Sequence, residues 1–312
     1  MSPSRGRTPG PVVGLDLGGT KIAAALVAAD GTVLARHTRP TPATEGATAV
    51  LDALAAAATE VASGAEATAV GVAAAGVIDP LSGTVTGATD TISGWRGTPL
   101  APALAARLGT PVACDNDVRA TAGPELAALP EGSSLLYLAV GTGIGGAVAV
   151  DGRMAHGRLG VAGHLGHLPS PEADGVPCSC GAVGHLEGVA AGPGITALYE
   201  RLSGRRAERL QTVAARADRG DAAAAEAIAV GARAAGRALG GLANALGPDR
   251  VVVGGGVTGL GPRYLDPLAA SFAAELLPAL RQLLPEPPRF GADAAVRGAA
   301  LLTSTAPLHH PA

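Results

Sequence analysis

Two glycine turns constrain this chain more than any other feature in it. Residues 12 to 17, VVGLDL, form a short apolar run that ends in Asp16-Leu17 and breaks at Gly18 and Gly19, and a second apolar run starts at Lys21. The same order returns where the apolar run 135 to 140 breaks at GTGIGG, residues 141 to 146, and the chain turns back again at Asp151-Gly152. A strand, a glycine turn and a returning strand make a hairpin whose tip lets backbone come close to a ligand. An ordinary tight turn would explain one such tip. Two of them, each after an apolar strand, point to two related halves facing one cleft, with backbone N–H groups from opposed loops around one polyanion.

The remaining elements are of mixed type. Val33 to His37 completes a three-stranded meander, residues 45 to 62 repeat Ala, Leu and Val at helical spacing, and Ala69 to Ala74 is a buried strand running into Gly76. Leu100 to Leu108 reads as a helix, and Val112 to Cys114 as a short strand that delivers Asp115, Asn116 and Asp117 to its C-terminal end. Ligands bind at that end of the strands in an open α/β sheet, which makes Asp117 a candidate for substrate contact. The plainer reading of Asn116 and Asp117 is a helix N-cap, a position both residue types favour. Asp79 to Gly97 is polar, rich in Thr and Gly, and holds the single tryptophan, Trp95, so a binding loop is expected there. Beyond Pro130 the composition shifts. Helices are expected over 193–203, 207–217, 221–246, 263–284 and 297–304, with a strand Val251 to Val253 and a third glycine turn, Gly254-Gly255-Gly256, that has room for a nucleotide base or ribose beside it. The expected division is a disordered tail over 1–11, an α/β domain over 12–130 and a second over 131–312.

A chain of 312 residues is long enough for two cores. Its composition, 47% hydrophobic and 16% charged, is globular. One tryptophan, three tyrosines and two phenylalanines are too few for a platform that stacks single-stranded nucleic acid, and a net charge of −3 without a dense basic run gives no polyanion surface. Apolar stretches are broken by Gly, Asp, Arg or Pro before reaching about 18 residues, so no membrane span is expected. Three cysteines suit a reducing compartment, and the expected location is the cytoplasm.

Residues 156 to 188 carry His164, His167, Cys178, Cys180, His185 and Glu187 in one loop-like segment, interrupted by Pro169, Pro171, Gly175, Pro177, Gly181 and Gly184. Neither a helix nor a strand runs through such a segment. His167, Cys178, Cys180 and His185 supply four N and S ligands, the set zinc takes in a tetrahedron. The alternative is two neighbouring cysteines and surface histidines; a disulfide across the single residue Ser179 would be strained. A structural zinc there would fix His164, His167 and Glu187 against one another, as a polar small-molecule site requires.

Taken together, DLGGTK at 16–21, Asn116, Asp117 and Ala120, GTGIGG at 141–146 and the block GHLGH followed by CSCGAVGHLE resemble the ROK family of sugar kinases over residues 12 to 304. The resemblance implies the actin-like ATPase (ribonuclease H-like) fold, an α/β architecture of two α/β domains around a cleft. Within the family, IAAALVAADG, RPTPAT and AGHLGH resemble bacterial N-acetylmannosamine kinases; many other members, glucokinases among them, have glutamate at the position of His164. The implied activity is ATP-dependent phosphorylation of the 6-hydroxyl of N-acetylmannosamine, with ATP, Mg²⁺ and a structural Zn²⁺. Asp117 is implied as the general base. Gly76, Asp90, Asn116, His164, His167 and Glu187 would join it at the sugar, and Asp16 would hold Mg²⁺. Gly18, Gly19, Thr20, Lys21, Gly141, Thr142, Gly143, Gly145 and Gly146 would surround the phosphates, with Gly255 at the nucleoside. His167, Cys178, Cys180 and His185 would bind zinc, and a homodimer is the implied assembly.

The chain departs from the family pattern in several places. His185 stands where a third zinc cysteine is usual, Val118 and Arg119 follow Asn-Asp where Ala and a small or polar residue are usual, and Asp90-Thr91 lie near where an asparagine often contacts the sugar. A glucokinase or another hexose or N-acetylhexosamine kinase is the near alternative. A sugar-responsive repressor of the same family is the distant one, disfavoured because the DLGGTK strand starts at Val12 and leaves no room for a DNA-binding domain before it.

Overall fold

The computed structural model describes residues 10–311, so most of the expected tail over 1–11 lies outside the described residues. Alternation along β1 (Val12–Leu17) sets the layering of the first half. Val13, Leu15 and Leu17 turn to one face and enter a core with α1 (Ala47–Val61) and α2 (Leu100–Leu108), while Gly14 turns to the other. β2 (Lys21–Val27) and β3 (Val33–Pro40) extend the meander antiparallel, and β4 (Val70–Ala74) lies parallel to β1 on its other side. A small hairpin of β5 (Val77–Asp79) and β6 (Thr84–Gly87) follows, and β7 (Val112–Asn116) closes the sheet in the order β3-β2-β1-β4-β7. β7 runs directly into α3 (Asp117–Ala127), a helix that the sequence reading raised only as the N-cap alternative.

The second half repeats this pattern. β8 (Leu135–Val140) and β9 (Ile144–Val150) form the hairpin around GTGIGG, β10 (Arg153–Met154) edges it, and β11 (Arg250–Gly254) lies parallel to β8, followed by β12 (Pro285–Glu286). Its order, β10-β9-β8-β11-β12, matches that of the first sheet strand for strand. Helices α4 (Glu187–Ala190), α5 (Gly192–Ser203), α6 (Leu210–Asp218), α7 (Ala222–Leu246) and α8 (Pro262–Glu275) complete the unit. α8 ends well short of the expected residue 284: Leu276 already leaves the helix in an extended conformation, Pro278 keeps Leu277 from resuming it, and a single 3₁₀ turn follows. No helix among the described residues is long and apolar enough to cross a membrane.

Two compact units result. The first runs to Ala128 and takes in His156–Val161 and the stretch from Phe290 onward; the second holds Leu129–Ala155 and Ala162–Arg289. The boundary drawn near residue 130 assigned the last helix, α9 (Ala294–Thr305), to the second domain, whereas it packs on the first sheet. Glycine makes that possible. A Cβ on Gly14 would overlap the Val296 carbonyl, one on Gly71 the Ala299 carbonyl, and one on Gly298 the Ala120 carbonyl, so α9 lies against β1, β4 and α3 at backbone distance.

Candidate active site

In the first unit the two acids singled out from the sequence stand at strand ends, Asp16 near the end of β1 and Asp117 opening α3 directly after β7. Asn116 closes β7 and caps α3: its Oδ1 accepts the Val118 and Arg119 amides at 3.0 and 3.2 Å. Its Nδ2 donates to the Gly76 carbonyl at 3.0 Å and to Asp117 Oδ1 at 2.8 Å, which brings Gly76, Asn116 and Asp117 together. Gly76 has φ of 110°, and a Cβ there would sit 2.6 Å from the Gly87 carbonyl, so only glycine presents its carbonyl this way. Asp117 Oδ1 also accepts the Val118 amide, while Oδ2 accepts no bond among the described residues. Burial, with the Asp16 charge adding to it, pushes the Asp117 carboxyl up to about 6 despite those bonds. Burial likewise raises Asp16, which Lys21 partly offsets.

The turn after Asp16 is closed by the Gly18 amide on the Lys21 carbonyl at 3.0 Å and tied from outside by Thr41 Oγ1 on the Gly18 carbonyl at 2.7 Å. Thr20 and Lys21 are exposed at its tip, and a Cβ on Gly19 would come within 2.5 Å of the Thr91 methyl. Thr91 and the exposed Asp90 therefore lie on a loop laid against this turn. The binding loop expected around Trp95 differs: Trp95 is buried and its indole N–H donates to the Ala75 carbonyl at 3.2 Å, so the tryptophan is core, while Asp90, Thr91 and the tryptophan's neighbours Gly94 and Arg96 are exposed.

Behind Asn116 and Asp117 lies a cluster that the sequence reading missed. Arg119, fully buried, pairs with Asp115 at 2.7 Å and donates to the Gly160 and Ile78 carbonyls, and His156 meets the second Asp115 oxygen at 2.8 Å. Burial works against the Asp115 charge, but the His156 and Arg119 partners outweigh it and hold the carboxyl below its usual range. Asp115 lies on β7 and Arg119 on α3, so no single periodicity pairs them.

The second unit holds the other expected residues. In the β8–β9 turn the Gly141 amide bonds the Gly143 carbonyl, and the Gly141 carbonyl accepts the Gly192 amide at the start of α5, both at 2.9 Å. A cavity of about 610 Å³ opens beside this turn, lined by Gly141, Thr142, Thr196, Arg209, Gln211 and Gly256 among others. Gly143, Gly145 and Gly146 continue the turn and the start of β9, and Gly255, with φ of 91°, stands where a Cβ would strike the Val140 backbone.

The proline-rich loop folds as the sequence suggested, through 3₁₀ turns and isolated bridges. His167, Cys178, Cys180 and His185 each point one donor atom into a group whose members lie within 4.8 Å of one another, and the cysteines are unpaired thiols. Cys178 Sγ is 3.5 Å from His167 Nδ1, and Cys180 Sγ is 3.3 Å from His185 Nδ1. Zinc bonds of about 2.3 Å to sulfur and about 2.0 Å to nitrogen imply an S···N edge of about 3.5 Å in a tetrahedron, so these four residues fit that ion. His164 stacks near His167, ring centroids 6.3 Å apart. Glu187 opens α4 with both oxygens engaged, Oε2 by the Ile144 amide at 2.8 Å and Oε1 by the Ser179 hydroxyl.

A model described as the ROK family matches residues 12–306. An N-acetylmannosamine kinase from Escherichia coli O1:K1 / APEC is 35% identical over 92% of this chain and 96% of its own. A crystal structure of a ROK hexokinase from Thermus thermophilus superposes with a TM-score of 0.82 at 36% identity, over 93% of this chain and 97% of that one. A ROK family glucokinase from Streptomyces griseus, solved in complex with glucose and AMPPNP, gives a TM-score of 0.76 at 31% identity over 94% of this chain and 99% of that one.

Proposed function

The chain belongs to the ROK family, and from that premise we propose that it is an ATP-dependent sugar kinase that phosphorylates the 6-hydroxyl of N-acetylmannosamine. The observation that carries the proposal is Asp117: a carboxylate whose Oδ1 is pinned by Asn116 and the Val118 amide, whose Oδ2 is left for a ligand, and whose proton affinity is raised to about 6 by burial. A general base works best when its pKa lies near the operating pH. Asp117 Oδ2 takes the proton of the sugar 6-hydroxyl as that oxygen attacks the γ-phosphorus of ATP, and ADP departs with the electrons of the broken P–O bond. Little covalent chemistry falls to the protein in such a transfer, so positioning and charge stabilisation by the two glycine turns contribute much of the rate.

The other roles follow from donor and acceptor chemistry. Gly18 to Lys21 and Gly141 to Gly146 offer backbone amides to the phosphates, and Lys21 adds a positive charge. Asp16 would hold Mg²⁺ through water; bound there, the ion would supply neutralisation of phosphate charge. The 610 Å³ cavity with Gln211 and Thr196 suits the nucleoside, and the AMPPNP bound by the Streptomyces griseus relative supports ATP as the donor. His167, Cys178, Cys180 and His185 would hold zinc, which supplies a fixed loop geometry. His167 Nδ1 faces that group, which leaves its Nε2 for a sugar hydroxyl. Glu187 retains lone pairs beyond the two it already uses, and accepts from another hydroxyl. Asp90 remains a candidate for a sugar contact, made from the loop beside Gly19.

N-acetylmannosamine is favoured over glucose by His164. An imidazole donates a hydrogen bond that a carboxylate cannot, and the acetamido group brings an acceptor carbonyl where glucose has a hydroxyl. The test is an ADP-release assay with ATP and Mg²⁺ across N-acetylmannosamine, N-acetylglucosamine, mannose, glucose and fructose. The highest kcat/KM is expected with N-acetylmannosamine; a higher value with glucose makes the protein a glucokinase, and no turnover with any sugar refutes the kinase reading.

A further inference from the structure

Ser179 stands between the two cysteines of the ligand group, and its hydroxyl donates to Glu187 Oε1. The other oxygen of that carboxylate accepts the amide of Ile144, inside the GTGIGG turn, at 2.8 Å. The same oxygen occupies space that two glycines leave open: a Cβ on Gly143 would lie 2.8 Å from it, and one on Gly166 3.3 Å from it. One side chain thus touches the ligand loop, the glycine turn and the 3₁₀ turn Leu165–His167 that carries His167. A glutamate has three rotatable bonds, and a carboxylate held at one oxygen only can swing about that bond. Holding both oxygens fixes its plane and the direction in which Ile144 donates.

We propose that Ser179 is a positioning residue that couples the ligand loop to the glycine turn. Cys178 and Cys180, when zinc is bound, would hold the Ser179 hydroxyl against Glu187, and Glu187 holds the Ile144 amide and with it the shape of the turn. The turn is therefore sensitive to whether the loop is closed, although none of its own residues belongs to the ligand group. The kinetic consequence rests on the kinase reading; the structural one does not.

The test is amide hydrogen exchange at Ile144, read by ¹⁵N NMR, in the full chain loaded with zinc, with metal content measured alongside. Ser179→Ala is expected to keep its zinc and to exchange Ile144 about three- to tenfold faster, the size expected for an exposed hydrogen bond to a carboxylate that water partly replaces. Ser179→Thr, which keeps the hydroxyl, is expected to exchange at the wild-type rate. Chelating zinc from the wild type should raise exchange by a similar factor. In turnover, Ser179→Ala is expected to raise KM for both sugar and ATP more than it lowers kcat. Wild-type exchange in zinc-loaded Ser179→Ala overturns the proposal, as does unchanged exchange in the zinc-free wild type. Loss of zinc from Ser179→Ala overturns it as well, because Ser179 would then serve only the loop's own stability. A wild type that phosphorylates no sugar refutes the kinase reading and leaves the Ile144 measurement to decide this one.

Discussion

A carboxylate that must lose its proton in a half-buried place beside another carboxylate makes the fold less stable as it does so. Asp117 ionises at about 6 in the folded protein against 3.8 as its unperturbed value, with burial the larger cause and Asp16 the smaller. The folded state therefore keeps the proton longer than the unfolded one. Asp117 costs nothing below pH 3.8, and its penalty grows as pH rises to about 6 and is complete above it, on the order of 1 to 3 kcal/mol. Asp117→Asn removes that penalty. Its thermal midpoint is expected to exceed that of the wild type by a few degrees at pH 8, with the gap closing toward pH 4; a lower midpoint at pH 8 would mean that the charge stabilises the fold. Specificity is also decided at this scale. His164→Glu should lower kcat/KM for N-acetylmannosamine relative to glucose by about tenfold or more, as expected where one polar contact to the substrate is exchanged for another. An unchanged ratio would take His164 out of sugar selection.

Glycine and cysteine decide matters at the level of elements. α9 meets β4 where Gly71 faces the Ala299 carbonyl, so Gly71→Ala forces the helix off the sheet and should destabilise the first unit by about 1 to 3 kcal/mol. A midpoint equal to that of the wild type would show that the helix gives way freely. The paired substitution Cys178→Ser with Cys180→Ser should empty the ligand group of zinc, seen by atomic absorption, and raise the sugar KM; zinc retained in the double variant would place the metal elsewhere. Much of this was legible in the sequence, because the signals were local. The glycine turns, the helical spacing of α1 and α7 and the H-x₁₀-C-x-C-x₄-H spacing are patterns within one segment. Trp95 was not legible, because the polar residues around it suggest exposure while its indole N–H finds the distant Ala75 carbonyl. The apolar periodicity runs on past the end of α8, whereas the backbone leaves the helix at Leu276 and Pro278 bars its return.

For the molecule as a whole, the repeated strand, turn and strand predicted two related halves, and both sheets share one strand order. The return of α9 to the first unit was hidden, since no residue in a helix announces which of two sheets it covers; only the glycines at 14, 71 and 298, read as a set, carry that information. The Arg119 cluster was hidden for a similar reason, as it joins Asp115 to His156 and Gly160 across a long stretch of sequence. The central claim is that Asp117, raised by burial, is the base of a sugar kinase. Its most direct test is the pH profile of kcat/KM for wild type and Asp117→Asn with the preferred sugar and ATP. The expected result is an acidic limb in the wild type with its midpoint near pH 6, and a loss in the variant of about 10² or more with that limb gone. A flat wild-type profile between pH 5 and pH 8, or an Asp117→Asn variant with wild-type turnover, would contradict it.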